Sequence, residues 1–166
     1  MNGTQFERAV SNFKNNIYGI AFHYFRNPQD AEDIVQEVFL KLYRETKEFE
    51  SEEHLRNWLI RVTINQCKKI SVSSWFTKHT SLPEYAAGIW PDPQEEKMGN
   101  EESDLFLNVM ALPKKYRIAV HLYYYEDYST KEIAELLRVK EATVRTRLAR
   151  ARKMLKDTLS EVWKDE

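Results

Sequence analysis

The stretch that most restricts how this chain can fold is Ser129 to Lys156, STKEIAELLRVKEATVRTRLARARKMLK. It carries two helical patterns on either side of a four-residue break. In the first, Ile133, Ala134, Leu136 and Leu137 form a short apolar face, with Ser129 or Thr130 available as N-cap. In the second, Val144, Leu148, Ala151 and Leu155 recur at i, i+4, i+7 and i+11, one side of a helix. The other side holds Arg145, Arg147, Arg150, Arg152, Lys153 and Lys156, six basic residues with no acid between Thr143 and Lys156. A short helix, a tight turn and a second helix with a basic outer face form the helix-turn-helix plan that enters a DNA major groove. The competing reading is a solvated basic face on an ordinary helix pair. The turn and the missing acids favour nucleic acid.

Charge refines that expectation. The net charge of −1 divides into a neutral segment 1–75, −3 over 76–101 and +2 over 102–166. A DNA reader without overall positive charge has little long-range attraction to phosphate, so it is expected to bind with help from a partner. Few glycines and prolines argue for helix, and the single Cys67 excludes an internal disulfide and fits a reducing cytosol. No apolar run approaches a membrane span and the polar N-terminus lacks a secretory pattern, so the expected location is the cytoplasm.

Three amphipathic helices precede the linker. The first runs from about Thr4 to Phe25. Asn27-Pro28 then caps and starts a second, whose apolar stripe is Ala31, Ile34, Val35, Val38, Phe39, Leu42 and Tyr43. The third is expected from His54 to about Val72, burying Leu55, Trp58, Leu59 and Val62. Between Ser73 and Asn100, Ser, Pro and Gly interrupt the pattern and acids gather after Asp92. Helices resume at Ser103, break at Leu112-Pro113 and continue to about Asp127. The fold class is therefore all-α: two small helical domains, 1–75 and 102–166, joined by a flexible acidic linker, 76–101, with the helix-turn-helix in the second.

Three segments carry a resemblance. Asp30-Ala31-Glu32-Asp33-Ile34-Val35-Gln36-Glu37-Val38-Phe39-Leu40-Lys41-Leu42-Tyr43 closely resembles the polymerase-binding signature of bacterial extracytoplasmic-function (ECF) sigma factors. Phe49 through Lys69, with Trp58-Leu59-Ile60-Arg61-Val62 and then Asn65, resembles that family's −10-reading segment. Leu112-Pro113, Glu132-Ile133-Ala134 and Thr143 through Arg152 resemble its −35-reading domain. The order and spacing of all three agree with the family.

The resemblance implies a non-enzymatic specificity subunit that directs promoter-specific transcription initiation in a stress or envelope-signal response. It implies core RNA polymerase as a partner, met through the β′ clamp helices and the β flap, together with promoter DNA and an anti-sigma factor that could hold the protein at the inner face of the membrane. It implies no cofactor, metal or small-molecule substrate. Carried onto this sequence, Asp33, Gln36, Glu37, Phe39 and Leu40 are the polymerase-binding candidates. Arg61, Asn65, Lys68 and Lys69 are the −10 candidates, Asn65 for a base extruded from the duplex. Arg145, Thr146, Arg147 and Arg150 are the −35 candidates, since arginine reaches the O6/N7 edge of guanine bidentately. Arg138 stands where many members carry a turn glycine. Asp92, Glu95 and Glu96 are candidate nucleic-acid mimics in the linker. The rival reading is a conventional helix-turn-helix regulator that binds a duplex operator without polymerase.

Overall fold

The computed structural model describes residues 1–71 and 100–164, and every regular element among them is helical. The expected linker residues from 76 to 99, including Asp92, Glu95 and Glu96, lie outside the described residues. The chain divides into two compact units, Met1–Ser81 and Leu82–Glu166.

The first unit is built from α1 (Gly3–Phe25), α2 (Pro28–Arg44) and α3 (Glu52–Ser71), each packed on the other two. Asn2 and Gln5 start α1 with a reciprocal capping box, Gln5 N–H to Asn2 Oδ1 at 2.8 Å and Asn2 N–H to Gln5 Oε1 at 3.0 Å. The helix ends at Arg26, which takes the left-handed conformation (φ 53°, ψ 33°) and gives its N–H to Phe22 O at 2.7 Å. The next residue already caps α2: Asn27 Oδ1 accepts from Gln29 and Asp30 N–H, and Pro28 sits where its missing donor costs nothing. Ile17, Ile20 and Phe22 of α1, Ala31, Ile34, Val38 and Leu42 of α2, and Leu59, Ile60 and Ile64 of α3 close the core. Each large member contributes on the order of 1.5–3 kcal/mol by leaving water.

Two details differ from the pattern read in the sequence. Tyr43 is 73% exposed, because the buried stripe of α2 ends at Leu42. On α3, Ile60 and Ile64 take the deepest positions while Trp58 and Val62 are half-buried, and Thr63 is accommodated by donating its hydroxyl to Leu59 O at 2.7 Å.

The second unit contains α4 (Asn100–Ala111), α5 (Lys114–Val120), α6 (Thr130–Leu137) and α7 (Glu141–Lys164). Pro113 stands one position outside α5, as N-cap, and its carbonyl receives Tyr116 and Arg117 N–H, both at 3.0 Å. α5 widens into a π-helical turn, His121–Tyr125, closed by Glu126 N–H to His121 O at 3.2 Å. Buried Arg117 donates to Leu112 O at 3.1 Å, and the Nε2 of buried His121 meets Glu126 Oε1 at 3.2 Å, two polar contacts inside this core. Ser129 caps α6 in a second capping box with Glu132.

The turn between α6 and α7 is where a glycine is missed most. Arg138 occupies the left-handed region (φ 58°, ψ 47°), and Val139 N–H returns to Ala134 O at 3.0 Å. The turn therefore keeps its geometry with a non-glycine residue, at a cost of about 1–2 kcal/mol for the Cβ. Val144, Leu148 and Ala151 are buried and Leu155 is half-buried, as the apolar period of this helix predicts.

Candidate functional site

Three surfaces collect the residues singled out by sequence. On α2, Asp33 and Gln36 are exposed, Glu37 is half-buried and Leu40 is 46% exposed. Phe39 lies beneath them, 7% exposed, with its ring edge-on to Phe6 of α1 at 6.3 Å. Phe6 also packs edge-on to Tyr43 at 5.6 Å. Together Phe6, Gln36, Phe39, Leu40 and Tyr43 line an apolar groove of about 470 Å³. Phe6 and Tyr43 were not identified from the sequence. Phe6 contributes from another helix, and the apolar period of α2 places Tyr43 with the core.

On α3, Arg61, Asn65 and Lys69 are exposed and Lys68 is half-buried. Positions 61, 65, 68 and 69 follow helical spacing and share one side. Gln66, beside Asn65, is buried and accepts a 2.6 Å hydrogen bond from Lys41 Nζ of α2. That bond ties the two helices together below the polar face. Near the start of the same helix, Arg8 of α1 and Lys47 and Phe49 of the α2–α3 loop line an open cleft of about 450 Å³.

On α7 the cations separate into three environments. Thr146, Arg147 and Arg150 line a groove of about 300 Å³ together with Thr143 and with Lys115 and Tyr116 of α5. A hydrogen bond from Arg150 is the main reason the Tyr116 hydroxyl is held below its ordinary pKa, and the nearby charges of Lys115 and Arg150 add to this. The groove is cationic and rich in donors, suited to a phosphate oxygen. Lys115 and Tyr116 escape a linear reading because they lie some thirty positions away and face α7 only after folding.

Arg145 does not line that groove. Its guanidinium meets Glu141 Oε1 at 2.8 Å, and the same carboxylate oxygen accepts the Thr130 hydroxyl at 2.9 Å. Glu141 thereby links the start of α6 to the outer face of α7. Arg152, counted from sequence with the basic outer face, is turned toward the π-helical turn. Its Nε donates to Tyr124 Oη at 2.6 Å, and its guanidinium lies 5.6 Å from the ring centres of both Tyr123 and Tyr124.

Among the described residues no group of three or more His, Cys, Asp or Glu is placed to hold a metal ion, and no helix is long and apolar enough to cross a membrane.

The family models Sigma-70 region 2 and Sigma-70, region 4 match residues 9–76 and 109–155. The ECF RNA polymerase sigma factor SigW of Bacillus subtilis is 26% identical over 95% of this chain and 90% of its own length. The ECF factor SigE of Mycolicibacterium smegmatis is 30% identical over 93% of this chain, which spans 61% of that relative. The chain belongs to the ECF group of the sigma-70 family.

It is an alternative sigma factor, and the reading as a polymerase-independent regulator is not favoured. Its fold is that of the sigma factor RpoE from Bartonella quintana, solved in complex with the anti-sigma factor NepR. The two agree with a TM-score of 0.68 at 20% identity, over 94% of this chain and 97% of that one. Sigma factors bind core RNA polymerase and promoter DNA. The matched region 2 covers the α2 side of the apolar groove, though not Phe6, and the polar face of α3, and the matched region 4 covers the cationic groove and the Glu141–Arg145 pair.

Proposed function

We propose that the factor reads promoters at two points and does so only on core polymerase. The observation that carries this is the pairing, on one three-helix body, of an apolar groove on α2, the helix that also bears Asp33 and Glu37, with the polar face of Arg61, Asn65 and Lys69. The first suits a protein partner: an aromatic and aliphatic anchor with acids beside it gives affinity and register together. The second suits a separated strand, because an amide pairs with a base edge only after the base leaves the stack.

In this reading Asp33, Gln36, Glu37 and Leu40 meet the β′ clamp helices, and Phe39 supports them from beneath. Asn65 captures a −10 base while Arg61, Lys68 and Lys69 hold the strand. Arg145 and Thr146 address −35 base edges, and Arg147, Arg150, Lys115 and Tyr116 seat the neighbouring phosphate. The second unit also meets the β flap. Tethering both units to one large body makes the second DNA contact intramolecular, which offsets the near-zero net charge. The factor acts in the cytoplasm without enzymatic activity, in a stress or envelope-signal response. An anti-sigma factor, soluble or anchored at the inner face of the membrane, masks its polymerase and DNA surfaces until the signal arrives.

Run-off transcription from a genomic fragment library, with purified core polymerase and with or without the factor, tests the reading. Discrete new starts that need both components are expected. Tight duplex binding by the factor alone, without new starts, would overturn it. Glu37→Lys should then weaken core binding while leaving duplex contacts alone. Asn65→Ala should impair strand opening more than closed-complex formation; equal loss at both steps would count against base capture.

A further inference from the structure

We infer that His54 is a positioning residue for the α2–α3 loop, holding Phe49 and the cleft beside it in the shape that promoter opening requires. The inference rests on the proposed role of α3 in reading the −10 strand. At α1 and α6 the third helical residue, Gln5 or Glu132, reaches back to the N–H of the N-cap residue itself. At α3 the N-cap position is Ser51, whose hydroxyl accepts from His54 N–H at 3.0 Å. The reciprocal bond is different. His54 Nδ1 accepts from the N–H of Glu50, one residue outside the helix, at 3.1 Å.

The cap therefore fastens the loop as well as the helix, at the residue next to Phe49. The imidazole also does what a carboxylate or amide cannot. Its ring packs edge-on against Phe49 at 5.3 Å, and Trp58, one turn further along α3, packs against the same ring at 5.4 Å. Phe49 is thus held between two rings of one helix face while it walls the cleft with Arg8 and Lys47. A wall fixed before DNA arrives spares the complex the ordering entropy of a free loop. Loss of the Glu50 bond frees the loop without disturbing the core below, because Leu55, Leu59 and Ile60 keep α3 in place.

The bond needs a lone pair on Nδ1, which an asparagine side-chain oxygen supplies at nearly the same point and a glutamine does not. Holoenzyme is reconstituted with wild-type, His54→Ala, His54→Asn and His54→Gln factors on a promoter found by run-off, and strand opening is read by permanganate reactivity beside closed-complex affinity. His54→Ala and His54→Gln should open the promoter roughly tenfold less, His54→Asn, which keeps the acceptor but not the ring contact with Phe49, should recover to within about fourfold of wild type, and closed-complex affinity should change by less than about twofold throughout. Wild-type opening by His54→Ala, or equal rescue by Asn and Gln, would overturn the inference. Nitrogen-15 NMR of the free factor gives an arm independent of transcription: His54 should show the Nε2–H tautomer. An Nδ1–H tautomer would remove the clamp even if sigma activity stands, whereas wild-type factor inactive with core would remove the promoter-reading role itself.

Discussion

On α3, Arg61, Asn65 and Lys69 stand clear of the surface, and the hydrogen bond nearby is made by their neighbour Gln66 to Lys41. On α7, by contrast, three of the four arginines are engaged before any ligand arrives: Arg145 with Glu141, Arg150 with Tyr116, and Arg152 with Tyr124. The difference matches the two targets proposed. A duplex groove presents base edges and phosphates at fixed positions, so side chains held in place lose less entropy on docking. A separated strand has no fixed shape, and exposed side chains on a rigid helix can follow it.

This contrast can be broken or sharpened in four ways. The largest effect is expected from Leu148→Ala, which empties the 1%-exposed contact of α7. It should destabilise the second unit by about 2–5 kcal/mol, seen by calorimetry, and abolish −35 selection while core binding persists. If core binding fails equally, the division of labour between the units is wrong. Arg150→Lys keeps the charge but not the planar fork that meets a phosphate with two parallel bonds, and should cost promoter binding about 1 kcal/mol. Its companion Arg150→Ala should let the Tyr116 pKa rise toward the ordinary value, because the hydrogen bond that lowers it is gone. An unmoved tyrosinate titration would mean Arg150 is not engaged with Tyr116.

Glu141→Gln leaves an acceptor for Thr130 but cancels the ion pair with Arg145, an exposed i,i+4 pair. Non-specific duplex affinity should rise roughly two- to fivefold, the equivalent of a surface ion pair; no change would show that Arg145 is not restrained in solution. The smallest effect on promoter reading is expected from Arg138→Gly, which relieves the left-handed residue at the α6–α7 turn. Stability should increase by about 0.5–1 kcal/mol in denaturant melts, with promoter choice unchanged.

The helices were legible because their apolar periods and caps are local properties. Ser129, Asn27 and the Val144–Leu148–Ala151 period are written in neighbouring residues, and each appears in the structure as expected. What escaped depends on contacts between distant residues. Lys115 and Tyr116 read as an ordinary helix start until α7 lies across them. The π-helical turn at His121–Tyr125 is invisible to a 3.6-residue period, and with it the turn of Arg152 away from the basic face. Tyr43 continues the stripe of α2 in sequence, but it is largely exposed and meets Phe6 of α1 edge-on, so it lines the groove rather than the core. Asp33, Gln36 and Glu37 were legible as a polar run on one helix; the partner proposed for them came from resemblance, since a helix face does not encode its partner.

The carboxylate of Glu141 has a consequence for search as well as for structure. If Arg145 reads a base as proposed, every DNA sequence must first draw it from the same internal partner. That competition subtracts a constant from all sites and leaves the difference between right and wrong bases intact. On a chromosome, wrong sites vastly outnumber right ones, so a uniform subtraction shortens idle residence far more often than it weakens a productive stop. The acid at the start of the recognition helix would then keep the factor moving.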